Sequence, residues 1–141
     1  MKKRPLIIFV HYRFDGSFFP RGLYWFRKGG KALNLTSFLQ EKQLTVCLTG
    51  EIDHHSAREI MQALELKVGS YLPANCVLDF GEVTFMDSSG IAIVLFALRR
   101  MRELDGTLEL RAIPPQPYKV MKASGLDRLI ELKRSEMNEV R

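Results

Sequence analysis

The stretch Phe85-Met86-Asp87-Ser88-Ser89-Gly90-Ile91 constrains the fold most, because the apolar period of the chain changes across it. Upstream, Cys76-Val77-Leu78-Asp79-Phe80 and Val83-Thr84-Phe85 are β-branched and aromatic runs separated by Gly81, and both read as strand. Downstream, Ile91, Val94, Leu95, Leu98 and Met101 recur at helical spacing, with Arg99, Arg100, Arg102 and Glu103 on the other side. The stretch is therefore a strand-to-helix turn. It is open to two readings. Asp87 and Ser88 are both suited to capping, since a short side-chain oxygen accepts from the unpaired amides of a first helical turn. Alternatively, Ser88 presents its hydroxyl at a helix N-terminus, where free N–H groups and the helix dipole favour an added anion such as a phosphate.

The chain is long enough, at 141 residues, to bury the core of one domain without staples. No apolar run approaches the roughly 20 residues that span a bilayer. Lys2-Lys3-Arg4 followed by Leu6-Ile7-Ile8-Phe9-Val10 imitates a signal peptide, but His11, Tyr12 and Arg13 cut the apolar core short. A cytoplasmic protein is expected. Cys47 and Cys76 each lie in an apolar strand-like segment and are expected to be reduced core thiols, with neither a disulfide framework nor metal-ligand spacing. Adjacent His54 and His55 point in different directions on any regular element, and no third ligand lies near them, so no metal site is expected.

Leu44, Val46 and Leu48 alternate with Thr45, Cys47 and Thr49 as a half-buried strand, which Gly50-Glu51-Ile52-Asp53 is expected to leave. Asp53 or Ser56 then caps a helix with the stripe Ala57, Ile60, Met61, Leu64 and Val68, ended by Tyr71-Leu72-Pro73. After the Ile91–Leu104 helix, Asp105-Gly106 turns the chain into a strand marked by Leu108, Leu110 and Ala112, which Pro114-Pro115 breaks. Tyr118, Val120 and Met121 lie on a third helix, with Gly125 as its C′ glycine and Leu126 as the accompanying hydrophobic contact. Leu129-Ile130-Glu131-Leu132 reads as a final edge strand. Strands alternating with helices predict a small α/β domain with helices packed on a mixed, mostly parallel sheet.

The charge is unevenly spread. Residues 1–34 hold Lys2, Lys3, Arg4, Arg13, Arg21, Arg27, Lys28 and Lys31 against Asp15 alone, a net of +7 that exceeds the +5 of the whole chain. The remaining residues are thus net negative, and the basicity is not a property of the α/β domain. Phe9, Tyr12, Phe14, Phe18, Phe19, Tyr24, Trp25 and Phe26 interleave with these cations. Such a segment suits single-stranded nucleic acid or a membrane interface, an extra layer on the core, or a stretch preceding the true start of translation. It holds no RNA-binding motif and no sustained amphipathic period, and direct DNA binding is not expected.

Leu48-Thr49-Gly50-Glu51-Ile52-Asp53-His54-His55-Ser56-Ala57, Val83-Thr84-Phe85-Met86-Asp87-Ser88-Ser89-Gly90 and Ala123-Ser124-Gly125-Leu126 together resemble the anti-sigma factor antagonists of the STAS domain class. The likeness runs from about Leu35 to Leu132 and is nearest to the sporulation branch, through the Asp53-His54-His55 run. Ile91-Ala92 departs from the Leu-Gly common in that branch. The resemblance implies a STAS domain over residues 35–133, preceded by a basic aromatic extension over 1–34 and followed by a charged tail over 134–141. It implies a switch protein that is not an enzyme and needs no cofactor. Its partner would be an anti-sigma factor that is also a serine kinase, and binding would release a sporulation sigma factor. Ser88 would be the phospho-acceptor, and a PP2C-type phosphatase would restore the unmodified form. Asp87, Ser89 and Gly90 would shape the turn, with Ile91 beside it, while Asp53 and His54 would lie on the same docking face.

Other classes make different demands. A hydrolase nucleophile at Ser88, served by His54 or His55, would need glycines two before and two after it, and Met86 occupies the first of these positions. A STAS regulatory subunit of a stress-signalling or lipid-transport complex shares the fold and often a similar serine turn.

Overall fold

The alternating strand-like runs and apolar helical stripes resolve into one five-stranded sheet with its helices. The computed structural model describes residues 35–135 and, before them, the backbone of four short strands, β1 (Tyr12–Phe14), β2 (Ser17–Phe19), β3 (Arg27–Lys28) and β4 (Lys31–Ala32). β1 pairs antiparallel with β2, and β3 with β4. The expectations for the rest of residues 1–34 and for residues 136–141 lie outside the described residues.

The sheet has the order β5 (Leu35–Gln40), β6 (Gln43–Ile52), β7 (Asn75–Met86), β8 (Thr107–Ile113) and β9 (Leu132–Arg134). β5 and β6 form an antiparallel hairpin, and every later pairing is parallel. The parallel strands are joined through α1 (His54–Tyr71), α2 (Ser89–Glu103) and α3 (Pro115–Ala123). Each crossover steps one strand further in the same direction, so right-handed connection puts all three helices on one face. That face holds the core. Leu44, Val46 and Leu48 of β6, Leu78 and Phe80 of β7 and Leu110 of β8 pack with Ile60, Leu64 and Val68 of α1, Ile93, Val94 and Met101 of α2, and Met121 of α3. Each such side chain contributes roughly 1.5–3 kcal/mol by leaving water.

Several expectations require correction in detail. β6 does not end before Gly50: that residue takes a positive φ of 78°, the ladder shifts register there, and the strand runs on to Ile52. The two runs flanking Gly81 are one strand, in which the Gly81 N–H donates to Asp79 Oδ1 at 2.8 Å. In β8 the alternation breaks at Ala112, whose φ of 58° turns Ile113 into the core. Gly125 does adopt a left-handed φ of 83° with Leu126 buried, but a 3-10 turn at Leu126–Arg128 follows. The Leu129 and Ile130 N–H groups donate back to the Leu126 carbonyl to close that turn, so of the residues read as edge strand only Leu132 joins the sheet, at the start of β9, and Leu129 stays 53% exposed. Cys76 is buried as expected, whereas Cys47 is half-buried on the opposite face of the sheet.

The apolar stripe of α1 includes one cation that the periodicity did not reveal. Lys67 is buried between Leu64 and Val68, and desolvation lowers its amine to about 7. The unfolded chain binds the proton more tightly than the folded one, so stability rises with pH above about 7, by at most about 1.4 kcal/mol per pH unit. Burial acts oppositely on the Cys76 thiol, pushing it up to about 12. Its folded-state pKa lies above that of the unfolded chain, so it removes stability once free thiols ionise near pH 8.5. Urea midpoints should therefore climb between pH 7 and about 8.5 and then level off. Lys67→Met should raise the midpoint at pH 7 and abolish the climb, and a pH-independent difference between the two proteins would contradict this account.

Candidate functional site

β6 and β7 stay paired, through two register shifts, as far as Ile52 and Met86, and the Asp87 N–H then donates to the Ile52 carbonyl at 3.1 Å. Asp53 and Asp87 consequently leave neighbouring parallel strands at the same C-terminal end of the sheet, the end where α/β folds place their functional loops.

The first of these turns is closed by a reciprocal capping box. Asp53 Oδ1 accepts from the Ser56 N–H at 2.9 Å, and Ser56 Oγ accepts from the Asp53 N–H at 3.0 Å. The Ser56 amide also holds the exposed Asp53 carboxyl below its ordinary pKa. His54 begins α1 and is exposed, while His55 faces Glu59 one turn on, with Nε2 3.6 Å from the carboxylate. Asp53 and His54 therefore lie beside the turn that carries Ser88.

In the second turn the capping duty falls to Asp87. Its Oδ1 accepts from the Ser89 N–H at 2.7 Å, and its carbonyl accepts from the Gly90 N–H at 3.0 Å. Ser88 occupies the N-cap position of α2 with helical backbone angles of −66° and −12°, and its hydroxyl makes no capping bond. The side chain is exposed, and the first turn of α2 carries no acidic residue. The capping role thus falls to one residue and the exposed hydroxyl to the next, while the amides of Ser89, Gly90 and Ile91 are already paired within the turn. Ser89 is half-buried, Gly90 is buried, and Ile91 packs half-buried against the core.

Met86 supports the turn from below. It is fully buried, and a Cβ added at Gly90 would run into its sulfur and Cγ, so any larger residue there would force the Met86 side chain to move. The Met86 backbone is held by Gln116 in the first turn of α3. Gln116 Oε1 accepts from the Met86 N–H at 2.8 Å, and Gln116 Nε2 donates to the Met86 carbonyl at 2.9 Å. The sequence reading missed Gln116, because its partner is 30 residues away and no local period marks it. Among the described residues, no three His, Cys, Asp or Glu side chains gather as a metal site.

Gly90→Ala should destabilise the domain by about 1–2 kcal/mol, the cost of displacing a buried methionine less the gain from better helix propensity. The penalty should largely disappear in a Met86→Ala background. A double-mutant cycle by chemical denaturation measures that coupling, and additive effects would show that the contact is not the cause.

Residues 37–131 match the protein family described as Mlab, STAS domain. The chain is 27% identical over 110 residues to the anti-sigma-B factor antagonist of Listeria monocytogenes, an alignment covering 74% of this chain and 93% of that one. It is 25% identical over 95 residues to the anti-sigma F factor antagonist of Paenibacillus polymyxa, covering 67% of this chain and 81% of the relative. Among solved structures, the unphosphorylated form of the anti-sigma factor antagonist SpoIIAA superposes with a TM-score of 0.63 at 24% identity, covering 75% of this chain and 92% of that one. The five-stranded sheet with its helices is that fold. By the match over residues 37–131, this chain belongs to the STAS domain family.

Proposed function

We propose that the chain is an anti-sigma factor antagonist that binds an anti-sigma serine kinase, releases the sigma factor held by it, and is switched off by phosphorylation of Ser88. The observation that carries this reading is the division of roles in the second turn. Asp87 caps α2, which leaves the Ser88 hydroxyl exposed on a helix N-terminus. A phosphate there projects from an exposed position at the positive end of a helix whose first amides are already held by Asp87 and the Ser88 carbonyl, so the fold tolerates it. It also adds about −1.5 to −2 charge to the surface shared with Asp53 and His54, which opposes docking without unfolding. The names of the Listeria and Paenibacillus relatives support the same role.

In this reading Asp53, His54, Asp87 and Ser89 form or frame the docking face, and Gly90 and Ile91 set its shape from beneath. The Asp53-His54-His55 run favours a sporulation sigma factor as the one controlled. A PP2C-type phosphatase reverses the modification, and the exchange takes place in the cytoplasm. No helix among the described residues is long and apolar enough to cross a membrane.

The test is intact mass after incubation with a sporulation-type anti-sigma kinase and ATP. The parent should gain one phosphate and Ser88→Ala none. Ser88→Asp should keep the parent's melting temperature and bind the kinase at least tenfold more weakly, about 1.4 kcal/mol. Binding without any mass gain would remove the switch. Co-purification with a transporter ATPase in place of a kinase would favour a regulatory subunit of a lipid-transport complex.

A further inference from the structure

β7 is longer than the neighbour that supports it. Its ladder with β8 ends at the pair Asp79–Arg111, whereas β7 itself continues to Met86, paired only with β6 on its other side. β8 turns away at Ala112, and Pro114-Pro115 direct the chain into α3. The β8-side edge of the last stretch of β7 would otherwise offer unpaired backbone groups at the base of the Ser88 turn. Gln116 takes the place of the missing strand at this point. Its side-chain amide presents one acceptor and one donor to Met86, as a neighbouring peptide would, at 2.8 and 2.9 Å.

This contact fixes the last peptide before the turn from the side opposite Ile52. The Asp87 N–H is tied to Ile52 on β6, Met86 is tied to Gln116 on α3, and Gly90 rests on the Met86 side chain. We infer that Gln116 is a positioning residue for Ser88. Through Met86 it sets where the Ser88 hydroxyl stands relative to the docking face, and it makes α3 part of the acceptor site although α3 contributes no residue to the turn. The inference rests on the phosphorylation of Ser88 proposed above. The amide is specifically required. Glutamate at this position keeps the acceptor but sets a carboxylate oxygen against the Met86 carbonyl, and alanine removes both bonds.

The effect should fall on kcat more than on KM. A displaced acceptor hydroxyl slows transfer even when docking through Asp53 and His54 is intact, because small errors of alignment are costly to reaction geometry. The experiment measures steady-state phosphorylation of the full chain, Gln116→Ala and Gln116→Glu by the kinase that modifies the parent, alongside amide hydrogen exchange at Asp87, Ser89 and Gly90 and a thermal melt of each protein. Both variants should stay folded, lose about tenfold in kcat with KM within twofold of the parent, and exchange these three amides at least tenfold faster. Parent-like kcat and exchange in both variants would overturn the inference. A loss confined to KM would assign Gln116 to docking and overturn it equally. If the parent itself gains no phosphate, the phosphorylation reading fails, and exchange alone decides the positioning role: acceleration upholds it and parent-like rates reject it. If Gln116→Ala does not fold, Gln116→Glu, which is nearly isosteric, carries the comparison.

Discussion

Parallel pairing of β6 with β7, carried through two register shifts to Ile52 and Met86, brings two otherwise distant turns together. Parallel strands point their C-terminal ends the same way, so the residues that follow them, Asp53 and Asp87, emerge as neighbours. The bond from the Asp87 amide to the Ile52 carbonyl extends this alignment one residue beyond the sheet. Without it, the capping box at Asp53 and the turn at Ser88 would be separate local motifs. With it they form one surface whose geometry is inherited from backbone hydrogen bonds, the least deformable part of the fold.

The surface is supported by polar groups whose partners are far away in sequence. Gln116 reaches Met86 from α3, and at the far end of α2 the half-buried Arg100 reaches Glu65 of α1 at 3.0 Å. These two contacts differ in weight. An ion pair whose carboxylate is exposed contributes little, whereas a part-buried amide that satisfies two backbone groups avoids the larger cost of leaving them unpaired. The helices are thus held to the sheet mainly by the apolar core, and the end of β7 is trimmed into place by Gln116.

Much of this was legible in the chain. Periodicity located α1 and α2 to within a few residues, because their apolar stripes are long and their starts carry Asp53 and the Asp87-Ser88 pair. The switch of period at Met86 correctly marked a strand-to-helix turn. What failed did so where backbone geometry overrode side-chain pattern. Gly50 and Ala112 bend strands without ending the sheet, and neither residue type announces a bulge by itself. Leu129 and Ile130 look like strand yet complete a 3-10 turn, since Gly125 directs the chain away from the sheet first. Lys67 and Gln116 were invisible for a related reason: their surroundings are assembled from distant segments, and no single-residue pattern reports them.

The assignment of capping to Asp87 also has a consequence for the lifetime of the protein. Because Asp87 supplies the cap of α2, chemistry at the Ser88 oxygen leaves the start of the helix intact. Cellular proteolysis follows the population of unfolded chains. Forms that differ only at Ser88 would therefore both stay folded and offer proteases similar targets. If Ser88 is modified as proposed, the ratio between the forms would be governed mainly by the enzymes that act on the serine, and their past activity would be stored in the protein pool until synthesis dilutes it.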